Sequence, residues 1–138
     1  MLETLSLGAY LHDIGKIAVP DQILNKPGPL TDDEWHLVQL HPDYAVQILE
    51  PLPETHHALE VPRFHHERWD GTGYPSRLKG EQIPFLARLF AIVDVWDAIT
   101  SDRVYRKRWP VEQARDFMSR NTGLHFDPYL LKEFLRII

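Results

Sequence analysis

The chain has 138 residues, of which 43% are hydrophobic and 25% charged, and its formal charge is −5. That is enough for one domain with one core, and the negative charge argues against DNA and other polyanions as general partners. Cysteine is absent, which excludes disulfides and thiolate metal sites, and no apolar run reaches the ~20 residues that cross a bilayer. Leu2, Leu5, Ala9, Leu11 and Ile14 mark an amphipathic first helix, with Gly15 near its C-terminus. It starts almost at Met1 without a cap, so more chain is expected before it. Met1-Leu2-Glu3-Thr4 does not open a signal peptide. Together with the lack of cysteine, this fits a cytoplasmic protein.

Residues 16–30 read as a loop with room for one helical turn, broken by Pro20, Pro27, Gly28 and Pro29. Thr31-Asp32-Asp33-Glu34 is a capping box, so a helix should start at about Asp32. It should run to His41, where Pro42 breaks or kinks it, and a second segment should continue to Leu49. Residues 54–67 look helical, divided by Pro62. Residues 68–83 hold three glycines and one proline and should form an ordered surface loop. Pro84 to Ile99 is apolar and too long for a typical strand, so a buried helix with Pro84 at its first position is expected. Pro110 and Pro128 should open two more helices, ending near Asn121 and Ile137. The pattern is all-α, without repeats, low-complexity segments or an inter-domain linker.

Eight histidines in a chain without cysteine point to metal chemistry of the imidazole and carboxylate kind, suited to iron, manganese, nickel or zinc. Four pieces stand out. His12-Asp13 closes the first helix. Adjacent helical residues point about 100° apart, so the pair suits two ions bridged by the Asp better than one ion. The plain alternative is a surface Asp beside a His that complements the helix dipole. His41 precedes Pro42, and alone it reads as a helix end. His65-His66 leads into Glu67-Arg68-Trp69-Asp70-Gly71-Thr72-Gly73-Tyr74-Pro75, two imidazoles followed by a glycine-rich loop. Asp94 lies inside an apolar helix, where burial is costly unless the acid is paired or bound to a metal. Asp97 follows one turn later on roughly the same face. The alternative places both on a solvent stripe, for which the neighbours leave little room.

Taken together, His12-Asp13 with Gly15-Lys16, His65-His66 with Gly73-Tyr74-Pro75, and Asp94-Val95-Trp96-Asp97-Ala98 resemble the HD-GYP family, a branch of the HD phosphohydrolases. The resemblance runs from about residue 5 to the end. It implies an all-α helical bundle with two or three divalent metal ions in its core, iron or manganese first. It implies cleavage of the cyclic dinucleotide c-di-GMP to pGpG or GMP in bacterial signalling. His12, Asp13, His41, His65, His66 and Asp94 become metal ligands, with Asp13 bridging and shared by the reaction. Two ions ~3.5–4 Å apart hold a water-derived nucleophile and neutralise the phosphoryl oxygens. Lys16 contacts a phosphate oxygen or stabilises developing charge. Arg103 and Arg106 suit the second phosphate through guanidinium forks. Tyr74 stacks on or hydrogen-bonds a guanine. Asp97 hydrogen-bonds the substrate or orients a ligand.

The sequence departs from the family at three points. A helix that usually precedes residue 2, supplying a Glu and a His, is not expected within these residues, because Glu3 does not stand at the matching place. Val104 stands where the family usually has Pro, and none of these 138 residues is expected to form a sensor domain. The whole chain, residues 1–138, therefore reads as an HD-GYP domain lacking its first helices. One ion site is expected to be incomplete unless a second copy or a partner signalling protein covers the gap. Two other functions compete with c-di-GMP hydrolysis. One is phosphohydrolysis of another nucleotide, and the other is a catalytically weak binding or interaction module.

Overall fold

The computed structural model describes residues 1–102 and 107–138. The described residues form eight α-helices and three short 3₁₀ turns, and hold no strand beyond an isolated bridge between Thr122 and Phe126. None of the described helices is long and apolar enough to cross a membrane. Two compact units are distinct. The first is Met1–His66 with Tyr74–Ser76, and the second is Glu67–Gly73 with Arg77–Ile138.

In the first unit, α1 spans Leu2–Leu11 and a 3₁₀ turn spans Ile14–Ala18. The helix thus stops three residues short of Ile14, the end expected from the apolar spacing. His12 takes the C-cap, and Asp13 leaves helical geometry with φ −101° and ψ 5°. The short α2 (Asp21–Leu24) precedes α3 (Asp32–Gln39). The capping box is formed as expected: Glu34 N–H donates to Thr31 Oγ1 at 3.3 Å, and Thr31 N–H donates to the Glu34 carboxylate at 2.7 Å. Leu40 separates α3 from α4 (His41–Leu49), and Pro42 sits in the first turn of α4. Its missing N–H costs nothing there, because first-turn donors have no partner within the helix.

A 3₁₀ turn at Pro53–Ala58 leads through Leu59 into α5 (Glu60–Phe64). The division expected at Pro62 falls at Leu59 instead, again because a proline in the first turn sacrifices no hydrogen bond. α4 packs on the Ile14–Ala18 turn and on α5, while α1 packs on α5 and the Pro53–Ala58 turn. Gly15 explains how closely the turn meets α4. A Cβ at Gly15 would collide with the His41 carbonyl and lie 2.6 Å from the Ala45 nitrogen. Glycine therefore brings Asp13 and Lys16 beside His41.

In the second unit, α6 (Phe85–Thr100), α7 (Val111–Arg120) and α8 (Pro128–Ile137) pack on one another. Ile92, Ile99, Ala114, Met118, Phe126 and Leu131 form their buried core, and Trp96, Trp109 and Phe134 pack against it. Each large side chain buried this way contributes about 1.5–3 kcal/mol. Pro84 is the N-cap of α6, not its first residue, because its ψ of 142° is extended. The helix has a solvent-facing stripe that its apolar composition hid: Val93 is exposed, and so is Asp97. α8 is capped by Asp127, whose carboxylate accepts from the N–H groups of Tyr129 and Leu130. The same carboxylate takes a 2.6 Å ion pair from Arg88.

Candidate metal centre

His41 and His65 are almost completely buried, at 1% and 2% exposure. Burial of an imidazole is explained here by the way each ring is held. His41 Nδ1 lies 2.7 Å from the Val38 carbonyl, and His12 Nδ1 lies 2.6 Å from the Ala9 carbonyl. His65 Nδ1 lies 3.1 Å from the carbonyls of both Val61 and Pro62. All three are local contacts at helix ends, each ring meeting a carbonyl three or four residues before it. An Nδ1–H that donates to a carbonyl leaves Nε2 as the lone-pair atom, the tautomer that a metal-binding histidine needs.

These Nε2 atoms converge on Asp13. Oδ1 lies 3.5 Å from His41 Nε2 and 3.9 Å from His65 Nε2. Oδ2 lies 3.3 Å from His12 Nε2 and 2.6 Å from Lys16 Nζ. His12 keeps helical dihedrals as the C-cap of α1 while Asp13 leaves them, and the Asp13 carboxylate lies between the His12 ring and the buried histidines. Asp13, His41, His65 and His66 each offer one ligand atom, and these atoms all lie within 4.8 Å of one another. His12 flanks this set on the Oδ2 side, with its ring edge-on to His65 at 5.2 Å.

The electrostatics favour a cation. Burial raises the Asp13 pKa, but hydrogen bonds and charge from His12 and Lys16 outweigh it and hold the carboxyl well below its usual range. Burial, reinforced by neighbouring imidazoles, pushes His65 down to about 3 and His66 down to about 2. His41 is lowered too, chiefly by burial. The rings are therefore neutral at physiological pH.

Two observations test whether a metal fits. Asp13 Oδ1 is buried without a hydrogen-bond partner among the described residues. His41 Nε2 and His65 Nε2 approach to 3.4 Å, although their Nδ1 contacts leave both as acceptors. Facing lone pairs beside an orphaned carboxylate oxygen repel one another unless a cation lies among them. The donor set of imidazoles and a carboxylate fits a divalent transition metal.

Tyr74 joins the same unit. Its ring stacks on His66 at 4.8 Å and 23°, stands edge-on to His41 at 6.4 Å, and meets Trp35 edge-on at 6.5 Å. Its N–H donates to the His66 carbonyl at 3.2 Å. The sequence reading passed over two residues in these segments. Trp35 was read only as part of a helix, although a tryptophan directly after Asp32-Asp33-Glu34 was a sequence signal, and its indole is 48% exposed. Glu67, 2% exposed, accepts from Leu78 N–H at 3.0 Å and so anchors the glycine-rich loop in the second unit. Asp94 is half-buried near the middle of α6, and Asp97 is exposed and accepts from Ser101 Oγ at 2.9 Å. Arg103 and Arg106 lie outside the described residues.

An all-helical fold with a buried His/Asp cluster able to hold a metal ion places the chain among helical-bundle proteins of the HD-domain kind. The chain belongs to the HD domain family, whose model matches residues 1–130. It is 47% identical over 139 residues to a cyclic di-GMP phosphodiesterase of Pseudomonas aeruginosa, covering 100% of this chain and 33% of that protein. It is 45% identical over 127 residues to a 3'3'-cGAMP-specific phosphodiesterase of Vibrio cholerae, covering 91% and 24%. The chain thus spans about a quarter to a third of the length of these relatives. Among solved structures, a cyclic GMP-AMP specific phosphodiesterase of V. cholerae matches with a TM-score of 0.73 at 18% identity, over 99% of this chain and 38% of that one. An HDG"Y"P protein from Bdellovibrio bacteriovorus matches at 0.67 and 23% identity, over 96% and 43%. These two likenesses establish the fold, and they bear out the helical HD-domain bundle expected from the sequence.

Proposed function

We propose that this chain is the metal-dependent phosphodiesterase domain of a cyclic-dinucleotide hydrolase, acting on c-di-GMP and releasing pGpG or GMP in bacterial second-messenger signalling. The observation that carries the reading is the divided Asp13 carboxylate, one oxygen turned to His41 and His65 and the other to His12 and Lys16. Asp13, His41, His65 and His66 would hold the ions, iron or manganese, with His12 beside them. Asp94 is assigned as a further ligand from the family resemblance alone. When bound, the ions supply an activated water and neutralise the phosphoryl oxygens.

The protein's own residues prepare that chemistry. Neutral imidazoles add no negative charge, so Asp13 and any further carboxylate leave net positive charge for the phosphate. Lys16 holds Asp13 in place and has further N–H donors to offer a non-bridging oxygen as charge builds on it. Tyr74, fixed against His66, presents an aromatic wall for a base. Arg103 and Arg106 are assigned to the second phosphate. The 3'3'-cGAMP-specific relative, 45% identical, supports a second reading in which one base is adenine. Turnover of c-di-GMP, 3'3'-cGAMP and linear pGpG by the metal-loaded chain, with a chelated control, tests the proposal. Chelator-sensitive cleavage of a cyclic dinucleotide supports it, and activity on mononucleotides alone would refute it.

A further inference from the structure

We infer that Trp35 is a base-stacking residue for the dinucleotide, an inference that rests on the function proposed above. Three observations lead to it. First, α3 contains no buried residue, and its indole is left 48% exposed. A core role therefore does not explain the largest side chain of that helix. Second, Trp35 stands at the outer end of a row of rings. His41 and His66 contact each other at 4.9 Å, Tyr74 packs on both, and Trp35 meets Tyr74 edge-on at 6.5 Å with an interplanar angle of 80°. A phosphodiester at the histidines would thus have a half-exposed indole one tyrosine ring away. Third, the position is held. Trp35 N–H donates to the Thr31 carbonyl at 2.8 Å inside the capping box, and the adjacent Glu34 is pinned by Lys26 at 2.6 Å.

A purine offers a flat face that an indole can cover whatever its hydrogen-bonding edge, so stacking would hold guanine or adenine. The near-perpendicular Trp35 and Tyr74 rings form two walls of a corner, in which a base stacked on one presents its edge to the other. Trp35 would supply affinity for the base and take no part in proton transfer or in the ligand shell.

The test compares wild type, Trp35→Ala and Trp35→Phe, all metal-loaded, using c-di-GMP as the probe. Removing one base-stacking ring should raise KM about tenfold to hundredfold, with kcat within about threefold and metal content unchanged, and Phe should restore most of the loss. c-di-GMP should also quench a part of the tryptophan emission that is absent in Trp35→Phe, a readout that stands even if the alanine variant fails to fold. An unchanged KM in Trp35→Ala, or identical quenching in wild type and Trp35→Phe, overturns the assignment while leaving the phosphodiesterase reading intact. Absence of both binding and cleavage in wild type overturns both.

Discussion

Lys16 Nζ lies 2.6 Å from Asp13 Oδ2, on the opposite side of the carboxylate from His41 Nε2, which lies 3.5 Å from Oδ1. The lysine therefore orients the acid without consuming the oxygen aimed at the buried histidines. Lys16→Met should lower kcat about 100-fold, the scale of losing one pre-set charge donor. Metal content should be retained, because Oδ1 and the imidazoles are untouched. Activity and elemental analysis on the same sample check both halves.

Asp13→Asn should do the reverse. It keeps the shape but removes the negative charge that two sides of the cluster share. Metal affinity should fall by more than the ~10–100-fold typical of losing an outer-shell partner. Helical content should persist, since Asp13 lies outside α1 and the amide keeps the shape of the carboxylate. Metal titration and circular dichroism separate these outcomes.

Gly15→Ala places a methyl group against the backbone of His41 and Ala45. Backbone cannot move aside as a flexible side chain can. The substitution should destabilise the fold by about 1–3 kcal/mol or more and weaken metal binding by shifting Asp13 away from His41. Denaturant unfolding, with and without metal, measures both effects.

Acid should destabilise the metal-free protein in a defined window. Burial, with Arg68 nearby, pushes His125 down to about 4, against an opposing pull from Asp70. Unfolded chains take up the proton near pH 6.5 and the folded one does not, so unfolding is favoured progressively as pH falls below 6.5. The contribution is fully present above 6.5 and gone once pH falls through 4. His65 and His66, lowered in the same direction, extend the loss to still lower pH when no metal is bound. Unfolding midpoints between pH 7.5 and about 4.5 should decline, and His125→Gln should flatten the slope.

Much of this arrangement was legible in the sequence because it is written in local chemistry. The Thr31–Glu34 box, the prolines at helix starts and the apolar length of α6 each act within a turn or two. The His and Asp residues of the centre were named through the family resemblance that their order and neighbours carry. Two kinds of information were not local. The true end of α1 depends on the turn at Asp13, which is set by the close approach of Gly15 to α4. The Trp35–Tyr74 pairing joins segments far apart in the chain, and no periodicity encodes it. The exposure of Asp97 was hidden for a related reason. An apolar helix with a single exposed stripe looks buried throughout when its neighbours are counted without their directions.

Metal stoichiometry by elemental analysis, after equilibration with manganese or ferrous ion, tests the central claim most directly when done on wild type and His65→Ala in parallel with a c-di-GMP cleavage assay. The account predicts tightly held ions in wild type, their loss in His65→Ala, and cleavage that tracks the bound metal. Wild-type protein that retains no ion, or that cleaves the dinucleotide equally well in chelator, would contradict it.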